Sequence, residues 1–131
     1  MYYPDVYDDD ALRLAAGGGH EKLVEMLIVR YGANVHACDD QALNLAAENG
    51  HEKLVEMLIE RYGASVHTRD AGGLPFAAGR GRYRIVEMLI GRYGADVHAW
   101  NDGALRWSAS KGHEKIVEML IERFGAGQIS F

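Results

Sequence analysis

The chain has 131 residues, of which 48% are hydrophobic, and a formal net charge of −5. That is one domain's length with enough apolar material for a core, and its acidic balance excludes a general nucleic-acid or anionic-membrane binder, since both reward surplus Lys and Arg. A single cysteine, Cys38, excludes an internal disulfide framework, and no apolar run reaches the ~18 residues of a membrane span.

Met1-Tyr2-Tyr3-Pro4-Asp5 lacks the basic and apolar regions of a signal peptide. With one cysteine and no span, the expected location is intracellular, in the cytoplasm. Residues 1–7 form an N-terminal leader. Tyr2, Tyr3 and Tyr7 either pack over the end of the first repeat or hang as a loose tail, and an acidic, aromatic-rich leader favours the cover.

Repeats then run 8–38, 39–69, 70–100 and 101–131 with no linker, giving a single domain over 8–131. Their signature is the stretch His51-Glu52-Lys53-Leu54-Val55-Glu56-Met57-Leu58-Ile59-Glu60-Arg61-Tyr62-Gly63-Ala64, with close copies from His20, Arg82 and His113. The starts differ by 31 residues, and a fixed period of this size marks a solenoid. Leu54, Val55, Leu58 and Ile59 make one apolar stripe on a helix, with Glu52, Lys53, Glu56 and Glu60 turned to water. Gly63 stands where a left-handed residue would end that helix. Each repeat opens with Asp8, Asp39, Asp70 or Asn101, residues suited to turning the chain and capping a helix. A short apolar segment follows (Ala42–Ala47 in the second repeat), and Gly50-His51 breaks it. After Gly63-Ala64 an extended piece, Val66-His67-Thr68, leads to the next Asp. The unit reads short helix, turn, longer helix, loop, so the class is all-α.

The run Ala42-Leu43, Ala46-Ala47, Gly50-His51, Leu54-Val55, Gly63-Ala64 and Val66 resembles the ankyrin repeat, and it recurs four times across residues 8–131. The resemblance implies an ankyrin-like helical solenoid of four helix-turn-helix repeats. The family's Thr-Pro-Leu-His start is replaced by Asp10-Ala11-Leu12-Arg13, Gln41-Ala42-Leu43-Asn44, Gly72-Gly73-Leu74-Pro75 and Gly103-Ala104-Leu105-Arg106. The hydrogen bonds of that Thr and His are therefore lost. The repeat is also shorter than the family's ~33 residues, which truncates the β-hairpin loops that often touch partners and shifts attention to the short helices. The compact form is similar to ankyrin arrays of large DNA viruses, which would place the protein in the host cytoplasm.

The histidines form two ladders, His36, His67 and His98, and His20, His51 and His113. Stacked helices sit roughly 8–10 Å apart, while ligands of one zinc each lie ~2 Å from it. Equivalent histidines therefore cannot share an ion, and structural hydrogen bonding is the expected role. Arg80, Arg82 and Arg84 with Tyr83 have the forks to hold a phosphate or an acidic peptide. A solvated turn with arginine stems covering apolar surface explains the same pattern and is preferred. Trp107 matches Leu14, Leu45 and Phe76 and reads as packing, whereas Trp100 matches Cys38, Arg69 and Phe131, a mixed set that reads as exposed. Exposed Trp and Arg are favoured interface anchors. Gly17-Gly18-Gly19 is followed by no Gly-Lys-Ser/Thr and is not a phosphate loop. No nucleophile–base or paired-carboxylate grouping stands out, so no catalytic residue, metal or cofactor is expected.

The leading expectation is a non-catalytic interaction module or scaffold that binds a protein, with no nucleic-acid or membrane partner. It would use positions that vary among otherwise similar repeats: Arg13, Asn44, Glu48, Arg69, Arg80, Arg82, Trp100, Arg106, Trp107 and Lys111. Gly72, Pro75 and Gly103 share those positions in the groove. The alternative is self-assembly, because a terminal repeat normally carries a polar outer face. The helix from His113 to Phe124 keeps nearly the residues of the internal ones, so its apolar edge must be covered by Gln128 to Phe131, by a partner, or by another copy.

Overall fold

A computed structural model describes residues 4–127, with side chains from residue 9 on. The leader residues Tyr2 and Tyr3, the Tyr7 side chain and the tail from Gln128 to Phe131 lie outside that description. The described residues form α1 (Pro4–Gly17), α2 (Glu21–Val29), α3 (Ala37–Glu48), α4 (Glu52–Glu60), a 3-10 turn (Ala71–Gly73), α5 (Leu74–Gly79), α6 (Tyr83–Gly91), α7 (Ala99–Ser110) and α8 (Glu114–Glu122), with no strand among them. The odd-numbered helices stack on one another as an inner layer, each packs on its even-numbered partner, and α4, α6 and α8 stack outside. This is a helical solenoid.

The apolar stripe builds the core as its spacing requires. Leu54, Val55 and Leu58 are fully buried, as are Ile85, Val86 and Leu89 one repeat on. Each such side chain contributes about 1.5–3 kcal/mol relative to exposure. At the end of α4 the Ala64 N–H donates to the Leu58 carbonyl at 2.8 Å across Gly63, whose φ is 73°. That six-to-one bond satisfies a carbonyl the helix leaves open, and it needs a left-handed residue, so glycine stands there in every repeat.

Two expectations change. The helix of the first repeat begins at Pro4, inside the segment read as a leader, with proline at a first-turn position that tolerates its missing N–H. Beyond that repeat the outer helices are the longer ones: they span nine residues each, against six for α5, and the twelve of α3 and α7 include the left-handed residues Cys38 to Asp40 and Trp100 to Asp102. Among the described residues, the opening Asp39, Asp70 and Asn101 make no capping bond to a helix N-terminus. Asp39 instead accepts the Arg69 backbone N–H at 3.3 Å, one repeat on.

Capping is displaced by an unusual turn. Cys38, Asp39 and Asp40 have φ of 55°, 59° and 58°, and Trp100, Asn101 and Asp102 have 61°, 55° and 58°. Three consecutive left-handed residues with side chains cost about 1–2 kcal/mol each, least for Asn and Asp. The buried Asp40 carboxylate offsets this cost: it accepts the Ser65 backbone N–H at 2.7 Å and lies 3.0 Å from His36 Nδ1. Asp102 pairs likewise with His98 Nδ1 at 2.7 Å. In the third repeat Ala71 occupies this aspartate position, and nothing there can hold His67. The left-handed turn moves two residues on, to Ala71, Gly72 and Gly73, where two glycines adopt it without a side-chain clash. The same glycines leave α5 only six residues, with Pro75 in its first turn.

Candidate partner-binding face

Among the described residues, the aromatic side chains of the inner layer gather at the junction of the third and fourth repeats. Phe76 on α5 and Trp107 on α7 have ring centroids 5.1 Å apart, and Trp100, in the left-handed turn, lies 6.2 Å from Phe76 and 6.4 Å from Trp107. Trp100 is 43% exposed. Small residues permit this arrangement. A Cβ on buried Gly103 would sit 2.8 Å from Trp100 Cβ and 3.4 Å from Pro75 Cβ, so a larger residue would push the indole away.

Asp70 fixes the cluster. One carboxylate oxygen accepts the Trp100 indole N–H at 3.1 Å, and the other accepts the Asn44 amide at 3.2 Å. A single aspartate of the third repeat thus ties the second to the fourth. Arg106 locks the turn itself, donating from Nε to the Asn101 carbonyl at 3.0 Å and from Nη2 to the Trp100 carbonyl at 2.9 Å. Arg13, the equivalent residue of the first repeat, reaches Asp10 and the Cys38 sulfur. These arginines therefore bond the loops from the position that holds His in the family's usual start.

The remaining expected positions divide. Arg69 and Lys111 are exposed. Arg80 pairs with the Glu48 carboxylate at 3.0 Å, and Arg82 donates from Nε to the Glu48 backbone carbonyl at 3.1 Å. Both are thereby tied to the preceding repeat, while Arg84 stays exposed. Asn44, Gly72, Pro75 and Gly103 are buried rather than lining an open groove. Asn44 Oδ1 is a buried acceptor with no partner among the described residues. Sequence reasoning passed over Phe76 and Asp70 as site residues. The available signal was Phe76 at the position of Trp107 in the adjacent repeat, which places two large rings side by side in a stack.

The second histidine ladder bonds between repeats. His51 Nε2 donates to the Gly17 carbonyl and His113 Nε2 to the Gly79 carbonyl, each at 3.0 Å. Arg82 makes the corresponding bond in the third repeat. Among the described residues, no three His, Cys, Asp or Glu side chains are grouped so as to hold a metal ion, and no helix is long and apolar enough to cross a membrane.

The outer layer carries a different pattern. Arg61 meets Glu25 at 3.5 Å, Arg92 meets Glu56 at 3.3 Å and Glu60 at 3.2 Å, and Arg123 meets Glu87, each one repeat back. Tyr93 also donates to Glu60, at 2.8 Å. Partial burial, with help from that bond, pushes the Tyr93 phenol up to about 12. The partners are about half exposed, so each pair is a weak clasp. The ladder is a regular frame beside the irregular aromatic face.

A family model described as ankyrin repeats in three copies matches residues 3–70, and a second, described as ankyrin repeats in many copies, matches residues 74–121. Among curated proteins, none matches the chain.

Proposed function

The chain belongs to the ankyrin repeat family, whose repeats are protein–protein interaction domains, and from that premise we propose that it is a non-catalytic binding module. Its partner would sit on the inner helices and adjoining turns, centred on Phe76, Trp100 and Trp107. The observation that carries this reading is the 43% exposure of Trp100 within a cluster held by Asp70 and Arg106. A large aromatic held in place loses little conformational freedom on binding, and Trp and Arg are enriched among residues that dominate interface energies. Exposed Arg69, Arg106 and Lys111 near the rings favour an acidic or carbonyl-rich segment with an apolar side chain for the aromatic cluster.

The test compares capture by the native chain with capture by Trp100→Ala and by Glu87→Ala, which lies on the outer ladder. A partner of the inner face is kept by Glu87→Ala and lost by Trp100→Ala. Equal retention by all three chains would reject this placement.

A further inference from the structure

The two ends of the described stack match each other. At the α2 end, Leu14 is 78% exposed, Leu23 40% and Tyr31 49%, while the residues equivalent to Leu23, namely Leu54, Ile85 and Ile116, are at most 2% exposed because the preceding repeat covers them. At the α8 end Ile121 is 42% exposed, while its equivalents Ile59 and Ile90 are partly buried against the core. We propose that copies of this chain stack head to tail, the α1–α2 face of one copy seating on the α7–α8 face of the next in the register that joins its own repeats. This goes beyond the partner-binding reading and uses different surfaces.

Charge and hydrogen-bond complementarity carry the assignment. At the joint between the second and third repeats, Arg92 meets Glu56 and Glu60 while Tyr93 donates to Glu60. Two repeats back from Arg92 and Tyr93 stand Arg30 and Tyr31, and two repeats on from Glu56 and Glu60 stand Glu118 and Glu122. All four are exposed. Arg30 already lies over the Tyr31 ring at 5.6 Å, as Arg92 lies over Tyr93 at 5.3 Å, so the pair is preset for the contact. The other internal joints lack part of this set: Val29 replaces the second glutamate at the first, and Gly91 with Phe124 replaces glutamate and tyrosine at the third. Exposed His20 would likewise donate to the Ser110 carbonyl, as His51 does to Gly17. The joint between copies therefore holds the fullest version of the internal contact. Two unlike faces that fit each other without a twofold axis give an open polymer rather than a closed dimer.

The experiment is solution mass by light scattering across a hundredfold dilution, for the native chain, Leu23→Asp, Ile121→Asp, and the two variants mixed. The native chain is expected to grow in mass with concentration. Each variant alone should stay monomeric with native helical circular dichroism, since each has lost one of the two faces. Their mixture should reach the mass of two chains and stop, because only one good face of each kind remains. A native chain that is monomeric throughout, a mixture that stays monomeric, or a single variant that still assembles would each overturn the proposal. If either aspartate unfolds its chain, Arg30→Glu with Glu118→Arg repeats the pairing through exposed positions. Growth only on mixing supports the joint, and growth of either alone, or none on mixing, overturns it.

Discussion

The phenol of Tyr93 donates to a Glu60 carboxylate oxygen at 2.8 Å, clasping α6 to α4. The same position in the neighbouring joints resolves differently. Tyr62 stands opposite a repeat with Val29 in place of the glutamate, and its hydroxyl is buried with no partner among the described residues. In the last joint the glutamate position is Gly91, and the ring facing it is Phe124, whose edge would lie 3.5 Å from a Cβ added there. Acceptor and hydroxyl occur together once and disappear together once. Tyr62 is the mismatch.

Tyr93 should therefore ionise late. Its folded pKa, about 12, lies above the ordinary value of 10 because of burial first and the Glu60 bond second. The neutral phenol is the form that the fold favours. Its contribution is complete below pH 10 and is lost as pH rises from 10 through 12. Absorbance titration of the phenolates should show one tyrosine ionising about two units late, and that step should be missing in Tyr93→Phe. A native curve unchanged by Tyr93→Phe would show that the shift belongs elsewhere.

Removing the same atom from two equivalent tyrosines should have opposite effects. Tyr93→Phe gives up a hydrogen bond to a half-exposed carboxylate and should cost about 0.5–1.5 kcal/mol. Tyr62→Phe removes a buried hydroxyl that has no partner, and should raise stability by roughly 1 kcal/mol. Urea denaturation of the two single variants decides it. A loss in Tyr62→Phe as large as that in Tyr93→Phe would mean that Tyr62 has a bonding partner after all.

Two glycines separate backbone need from mere tolerance. Gly73 has φ 84°, and a Cβ on it would lie 2.8 Å from the Asn44 carbonyl oxygen and 2.9 Å from Asn44 Cα, both backbone atoms that cannot swing aside. Gly73→Ala should cost about 2–4 kcal/mol, from the left-handed conformation and the overpacking together. Gly91 is the exposed last residue of α6, with room for a methyl group against Phe124, so Gly91→Ala should gain about 0.5–1 kcal/mol from helix propensity. Thermal melts of the pair should move in opposite directions.

The core was legible because Leu54, Val55 and Leu58 follow a helical period that only one face can satisfy. The ends of the outer helices were legible from Gly63 and its equivalents for the same local reason. The left-handed turns were not. Cys38 to Asp40 hold that shape through Ser65, twenty-five residues on, and no local propensity announces such a bond. Asn44 misled for a related reason. It varies among repeats as a surface residue does, yet Gly73 lets α5 press on its backbone and bury it. Of the aromatic face, Trp100 was readable as exposed. Its tether to Asp70 depends on stacking geometry that a one-dimensional alignment does not carry.

Asp40 and Asp102 test how those turns are held. Both anchor a run of three left-handed residues and both pair with the histidine four residues earlier. Asp40 is buried and also accepts the Ser65 N–H at 2.7 Å, whereas the Asp102 side chain is 24% exposed and, among the described residues, has its histidine alone. Hydrogen bonds to a charged group are worth about 1.5–3 kcal/mol when buried and less when water can replace them. Asp40→Ala should therefore cost about 2–4 kcal/mol, since it frees a backbone N–H as well as the strained turn. Asp102→Ala should cost about 1 kcal/mol, in line with a partly exposed pair. Backbone amide exchange at Ser65 should accelerate in Asp40→Ala and stay slow in Asp102→Ala. Equal losses in the two variants, with Ser65 still protected, would show that the turn is held by its backbone and not by the aspartate.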